Sequence, residues 1–171
     1  MLPLLLTACK RVPAVASSSQ STSVQLHRQQ VAAARQDLDL IPPPSKNRYL
    51  AVRTLSGWEN PFLTVQDNVM TLHVMLHDPI PPEMGAGGVL RPTSARRQDL
   101  SIRISDLPTA LPAIPADSWP YGRVIAIEEA HNIEATSRPA VRRNMEAAIQ
   151  VLNDLGIVVD EWSEPGTNTM H

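Results

Sequence analysis

Apolar residues recur at helical spacing in two stretches of this sequence and at alternate positions in several others. The first helical stretch covers residues 24–40, which contain good helix formers without Gly or Pro and are soon followed by three consecutive prolines. The second covers residues 137–155, with Ser137 as the expected N-cap, Pro139 in the first turn and Gly156 as the left-handed cap. The pattern predicts two helices, one before and one near the end of the folded part.

Alternation of apolar and polar residues predicts strands between these helices. Residues 49–55 alternate and are closed by Gly57, which is typical of a strand with one wetter face. Residues 62–65 and 69–76 flank turn-forming residues at 66–68, a pattern that predicts a β-hairpin with its apolar side chains on one face.

The remaining elements complete an α+β prediction. Residues 79–97 are rich in Pro and Gly and predict a loop that includes Arg96 and Arg97, and residues 100–104 predict a half-buried strand. Ser105 is then the expected N-cap of a short helix, whose apolar face is Leu107, Leu111 and Ile114.

Two continuous apolar runs, at residues 124–127 and 157–159, flank the second long helix. If both runs belong to one sheet, the crossover makes them a parallel pair. The sequence therefore predicts an α+β fold: a small mixed β-sheet with helices on one face, containing a β-hairpin and a C-terminal βαβ unit.

Composition narrows the class of protein. The chain has 171 residues and a formal net charge of -2, which fit one soluble domain with tails and argue against a nucleic-acid partner. Its longest apolar stretch near the start, residues 2–8, is far shorter than the roughly 20 residues that a membrane-spanning helix needs.

Four residues near the start predict the cellular location of the protein. Leu6, Thr7, Ala8 and Cys9 resemble the lipobox of bacterial lipoprotein signal peptides, in which the Cys accepts a diacylglyceryl group and becomes the mature N-terminus. The resemblance implies lipidation of Cys9, the single cysteine of the chain, and a membrane partner reached through it. The same resemblance implies the periplasmic face of the outer membrane rather than the inner membrane, because Lys10 stands where an inner-membrane retention Asp would be.

These features predict how the chain is divided. Residues 1–9 are expected to be the end of a lipoprotein signal peptide, truncated relative to an ordinary one, and residues 10–44 a flexible tether with a helix in it. Residues 45–164 are expected to form a single α+β domain, and residues 165–171 a disordered tail.

The folded part resembles a second family in its order of elements. From residue 102 to residue 159, the Leu-rich segment at 106–114 and the helix ending in Leu-Gly-Ile before a strand are similar to the periplasmic domain of ExbD/TolR-type biopolymer-transport proteins. The resemblance implies an envelope scaffold that docks protein partners by a strand edge or a helix face. No ion-coupling role is inferred from this resemblance. Proteins of that family have an N-terminal transmembrane helix with an essential acidic residue, and this sequence shows no counterpart to it.

Several polar and aromatic residues are candidates for a binding site. Trp119 and Tyr121, in the string 119–122, either pack over the sheet edge or present an exposed platform for a partner or glycan. His73 and His77 lie on one face of their element but have no visible third ligand, so the sequence predicts surface histidines.

A cluster of acidic residues with a histidine follows the strand that begins at Val124. Glu128, Glu129, His131 and Glu134 lie where open α/β sheets often place ligands, and they could support acid–base or metal chemistry or simply be solvated loop residues.

Strong enzyme signatures are absent from the sequence, and no cofactor or bound metal is predicted. The sequence therefore predicts a lipid-anchored bacterial envelope protein that acts as a binding or assembly module. The alternative is a small envelope hydrolase or metal-dependent enzyme that uses the acidic cluster.

Overall fold

The computed structural model describes four ranges of the chain: residues 17–52, 54–67, 69–77 and 95–162. The expected signal peptide, the predicted tail and the Pro- and Gly-rich segment up to residue 94 lie outside these ranges. None of the helices within them is both long enough and apolar enough to cross a bilayer.

The described residues contain four α-helices and five strands. The helices are α1 (Ser17–Leu38), α2 (Lys46–Tyr49), α3 (Leu107–Ala110) and α4 (Arg138–Asp154), with short 3-10 turns at Leu55–Gly57, Ile104–Asp106 and Ala116–Ser118. The strands are β1 (Phe62–Val65), β2 (Met70–His77), β3 (Ala95–Ile102), β4 (Val124–Glu129) and β5 (Val158–Trp162).

The strands form one mixed sheet in the order β3-β2-β1-β4-β5. Strand β2 is antiparallel to both β1 and β3, whereas β4 is parallel to both β1 and β5. The predicted hairpin and C-terminal strand–helix–strand unit are confirmed, as is the α+β class with a small mixed sheet.

One face of the sheet carries the main core, and we call it the helix face. Alternate residues of the central strands point to it, including Leu63, Val65, Ile125 and Ile127, all fully buried. Helices α1, α3 and α4, with the residues that directly follow α3 and α4, cover it with apolar side chains: Ala34, Leu38, Leu107, Leu111, Val141, Met145, Ala148, Leu152 and Leu155.

The opposite face, which we call the second face, is covered in part by aromatic rings. Trp58 lies at the centre of this cluster, with its ring centroid 5.3 Å from that of Tyr121, 5.8 Å from that of Trp162 and 6.3 Å from that of Tyr49. All three pairs meet edge to face, the geometry that ring quadrupoles favour. Beside this cluster, most of the side chains on the second face are polar.

The strand predicted for residues 49–55 is wrong. The chain instead has α2, which ends at Tyr49, and the 3-10 turn at Leu55–Gly57. Tyr49, Val52 and Leu55 all pack in or against the aromatic cluster. A turn follows α2, in which the Val52 N–H donates to the Tyr49 carbonyl at 3.1 Å, and this turn is incompatible with an extended strand.

Two further predictions on the chain between β2 and α3 are corrected. Arg96 and Arg97, predicted in a loop, lie in β3, because residues 95–102 pair along the whole of β2. Ser105 is not an N-cap but lies inside a 3-10 turn, and the Asp106 carboxylate accepts a hydrogen bond from the Arg103 backbone N–H at 2.9 Å.

The packed unit begins before residue 45, where the domain was expected to start. Helix α1 begins at Ser17 rather than at residue 24, and neither Gly nor Pro interrupts the added turns. Its C-terminal half delivers Ala34 and Leu38 to the main core, and Ile41 follows them there.

The proline segment after α1 is bound to the loop before β4. The Arg123 backbone N–H donates to the Pro42 carbonyl at 2.9 Å, and the Ser45 N–H donates to the Tyr121 carbonyl at 2.9 Å. Gly122 lies between these bonds with a φ of +81°, and a Cβ there would overlap the Pro43 carbonyl oxygen. This segment is therefore part of the domain.

Candidate functional site

The two aromatic residues proposed from the sequence as a platform are buried. Trp119 is 3% exposed in the main core, and Tyr121 is 8% exposed in the aromatic cluster on the second face. The Tyr121 hydroxyl donates to the Gly57 carbonyl at 3.3 Å. The structure therefore supports the packing interpretation for both residues.

The acidic cluster does not converge on one point. Glu128 lies opposite Thr64 in the parallel ladder and Glu129 lies opposite Val65, so the two carboxylates leave β4 on different faces. His131 and Glu134 are exposed beyond the strand. Across the described ranges, no group of three or more His, Cys, Asp or Glu side chains could hold a metal ion.

Glu128 and Glu129 nevertheless border a common cavity of about 350 Å³ at the C-terminal end of β4. Arg142, from α4, also borders it and donates to the Glu161 carboxylate at 2.7 Å, a bond that raises the pKa of its guanidinium. Because acidic and basic groups are mixed around this cavity, its charge does not select one kind of ligand.

A larger cleft, of about 520 Å³, lies on the second face beside the aromatic cluster. Strands β1 to β4 and the 3-10 turn at Leu55–Gly57 all contribute to its lining. The lining residues are mostly polar: Leu55, Ser56, Phe62, Thr64, Gln66, Thr71, His73, Arg97, Asp99, Glu128 and His131.

Four side chains along this cleft form a continuous row of hydrogen bonds, which we call the polar chain. Asp99 Oδ1 lies 2.6 Å from His73 Nδ1, His73 Nε2 lies 3.0 Å from Thr64 Oγ1, and the Thr64 hydroxyl donates to Glu128 Oε1 at 3.1 Å. Sheet register brings them together, since His73 is opposite Asp99 and Thr64 is opposite Glu128. The polar chain thus crosses four adjacent strands.

His73 is the centre of this arrangement and is only 7% exposed. Its ring stacks on Phe62 with a centroid distance of 4.2 Å. The Arg97 guanidinium lies 4.7 Å from the centre of the same Phe62 ring, with Nη2 2.7 Å from His73 Nδ1 and Nε donating to Asp99 Oδ1 at 3.1 Å. His73 is therefore held from three sides.

The electrostatics of this pair follow from burial and contact. Burial of the His73 imidazole lowers its pKa below the ordinary value of 6.5, and this effect outweighs the hydrogen bond with Asp99, which favours the protonated ring. Contact with the His73 ring, and after it the charge of Arg97, lowers the pKa of Asp99. A neutral imidazole beside an ionised carboxylate is thus the favoured state near neutral pH.

The order carboxylate, imidazole, hydroxyl is also that of a nucleophile activated by a general base. In that chemistry the hydroxyl donates its proton to the imidazole. Here the Thr64 hydroxyl donates to Glu128, so His73 Nε2 must carry a proton and donate it to Thr64. The geometry therefore favours a structural or binding role over nucleophilic catalysis.

The sequence did not indicate His73, which was predicted to be a surface residue. It occupies the polar position of an alternating strand, and its burial depends on Phe62 and Arg97 in neighbouring strands. The alternation that assigns Leu72 and Val74 to the core places His73 on the opposite face, so the local pattern could not indicate its burial.

Asn60 is a second buried polar residue that the sequence did not predict. Its side chain is fully buried, donates to the carbonyl oxygens of Gly122 and Val124 at 2.8 and 2.7 Å, and accepts from the Tyr121 N–H at 2.8 Å. These bonds join the segments that lead into β1 and β4. They therefore help to fix the parallel register that places Thr64 opposite Glu128.

Comparison of the chain with protein-family models, with curated proteins and with solved structures finds no match in any of the three.

Proposed function

We propose that this protein is a lipid-anchored bacterial envelope protein whose α+β domain is a binding or assembly module. The lipobox-like residues Leu6, Thr7, Ala8 and Cys9 support the anchor, and Lys10 favours the periplasmic face of the outer membrane. Each buried methylene of an acyl chain contributes roughly 0.8 kcal/mol, so the several chains of a mature lipoprotein give stable attachment.

Helix α1 is the connection between such an anchor and the domain. It has 22 residues, which at 1.5 Å per residue makes a rod of about 33 Å. Residues 23–30 are exposed, whereas Ala34 and Leu38 are buried in the core. The helix therefore leaves the domain as a stiff spacer, and only residues 10–16 separate it from Cys9.

The observation that carries the binding role is the position of β3. It pairs with β2 along its whole length at one end of the sheet, and nothing in the described part of the chain pairs with its other edge. Side chains 96–101 are all exposed. The unpaired N–H and C=O groups of such an edge are a template for an added strand.

The occupant we propose is an extended segment of another envelope protein. Arg97 and Asp99 belong to β3 and also line the cleft, so a strand added to β3 would run beside it. Arg96, Arg97 and Asp99 disfavour indiscriminate pairing at this edge, because a partner must complement their charges. Backbone pairing would supply affinity, and the cleft would supply specificity.

Mass spectrometry of the protein from its native host tests the anchor. We expect an N-terminal Cys9 that carries a diacylglyceryl group, and a Cys9→Ser variant that leaves the membrane fraction. A protein that retains the residues before Cys9 and an unmodified thiol would contradict the proposed location.

Photo-crosslinking in the host tests the docking edge. A photoreactive amino acid is placed in turn at residues 96 to 101 of β3, and at Arg143 on the exposed side of α4 as the control. We expect crosslinks from β3 to one segment of a single envelope protein, with the crosslinked position moving along that segment by one residue per step. Crosslinks only to a second copy of this chain, or equal crosslinking from Arg143, would contradict the proposal.

A further inference from the structure

One nitrogen atom of the polar chain has two neighbours that need opposite protonation states. His73 Nδ1 lies 2.7 Å from Arg97 Nη2, which can only donate, and 2.6 Å from Asp99 Oδ1, which as a carboxylate can only accept. An unprotonated Nδ1 accepts from Arg97, and a protonated Nδ1 donates to Asp99. The nitrogen cannot satisfy both neighbours at once.

We propose that His73 is a proton-operated latch on the edge strand β3. When the imidazole is neutral, Nδ1 accepts a hydrogen bond from Arg97 Nη2 and holds that guanidinium against the sheet. When the imidazole takes up a proton, Nδ1–H donates to Asp99, and Arg97 Nη2 loses its acceptor and is repelled by the imidazolium.

The other ring nitrogen removes the ambiguity between tautomers. The Thr64 hydroxyl has one proton and donates it to Glu128, so Thr64 Oγ1 accepts from His73 Nε2–H. Nε2 is therefore protonated in both states of the latch, and Nδ1 is the atom that is protonated or deprotonated. Protonation of Nδ1 therefore requires no proton transfer between His73 and Thr64.

The charged groups that face His73 come from two strands. From β3, Asp99 favours the protonated ring and Arg97 disfavours it, and from β4, Glu128 favours it. Strand β1 contributes the uncharged Thr64 and Phe62. The second titratable ring that lines the cleft is His131, which lies beyond the end of β4.

The consequence is a change in the surface of β3. Arg97 is half exposed and lines the cleft, so protonation of His73 leaves the Nη2 group of Arg97 in the cleft without its acceptor, while Arg97 Nε keeps its bond to Asp99. This inference concerns the domain without any partner, and it stands or falls independently of the docking and anchoring proposals.

Nitrogen-15 NMR of the histidine side chains tests the latch. The sample is the full chain with Cys9→Ser, titrated from pH 8 to pH 4.5, and the His73 signals are assigned by their loss in His73→Gln. We expect Nε2 to be protonated throughout, and Nδ1 to be unprotonated at pH 8 and to gain a proton on acidification. The Arg97 Nη signals are expected to lose their protection from solvent exchange in the same step, whereas the Nε–H signal, bonded to Asp99, is not.

Two variants of adjacent residues should move the His73 titration in opposite directions. Arg97→Gln removes a positive charge and should raise the pKa of His73, whereas Asp99→Asn removes the negative charge of the acceptor and should lower it. Arg96→Gln is the matched control, since Arg96 is opposite Leu76 and lies on the helix face of the same strand. It removes the same charge from β3 and should shift the His73 pKa far less than Arg97→Gln does.

Three results would overturn the latch. The first is an Nδ1–H tautomer of His73 at pH 8, which would mean that the neutral ring already donates to Asp99. The second is equal His73 titration shifts in Arg97→Gln and Arg96→Gln. The third is unchanged protection of the Arg97 Nη groups across the His73 titration.

Discussion

The two faces of the same sheet are built on different principles. On the helix face, residues such as Leu63, Leu72 and Ile127 are fully buried among apolar neighbours. Their contacts are all apolar, and none depends on one particular pair of atoms. On the second face, His73, Thr64 and Asp99 are held by hydrogen bonds between particular atoms. The first face depends on area removed from water and the second on register, so substitutions on them should fail in different ways.

The largest effect should come from the helix face. Leu72→Ala removes a fully buried side chain and leaves a cavity, which should lower the free energy of unfolding by about 3 kcal/mol. The matched change on the second face is Thr71→Ala, the neighbouring residue of β2, which should cost under about 1 kcal/mol. Urea denaturation measures both, and equal losses would contradict the division between the faces.

A slightly smaller effect is expected where the two parallel strands are joined. Asn60→Ala leaves two carbonyl groups and one N–H without their buried partner, which should cost about 2–3 kcal/mol. The exposed neighbour Glu59 provides the control, and Glu59→Ala should change the free energy of unfolding by less than about 0.5 kcal/mol. A stable Asn60→Ala variant would show that the register is fixed elsewhere.

A third test concerns the backbone conformation of Gly122, in the loop that precedes β4. Gly122→Ala places a side chain at positive φ against the Pro43 carbonyl oxygen, and should cost at least about 1–2 kcal/mol. Gly57→Ala is the comparison, because a Cβ there meets only ordinary contacts at 3.6 and 3.7 Å, and it should be nearly neutral. Thermal unfolding of the two variants measures the difference.

The smallest effect is the pH dependence that His73 adds to stability. Its pKa is lower in the folded protein than in the unfolded chain, so the unfolded chain binds more protons as the pH falls through and below 6.5. The contribution of His73 is therefore complete above that pH and is lost on acidification. His73→Gln should flatten this part of the stability profile, and an unchanged slope between pH 5 and 7 would contradict the assignment.

Asp99 acts in a separate pH range. Its folded pKa is also lowered, so its stabilising contribution is present above the unfolded value of 3.8 and is lost only at more acid pH. Above pH 5, the difference in pH-dependent stability between the protein and His73→Gln therefore reports on His73 and not on Asp99.

The sequence predicted the helix face well and the second face poorly. The hairpin at residues 62–76, helix α4 and strand β4 all follow from apolar spacing, because burial against a helix imposes a regular period. Residues 49–55 were misassigned because seven residues fit both a two-residue and a three-residue spacing. His73 and Asn60 escaped prediction because their partners lie on strands and loops distant in sequence, and register sets those meetings.

The attachment of the proline segment bears on how the molecule responds to tension. A pull at the amino end would first meet α1, whose Leu38 is embedded in the core, and then the bonds of Pro42 and Ser45 to the loop before β4. These bonds connect to the middle of the sheet and not to its margin. Load would therefore be shared among several interior contacts, and the strands would not be peeled away one at a time.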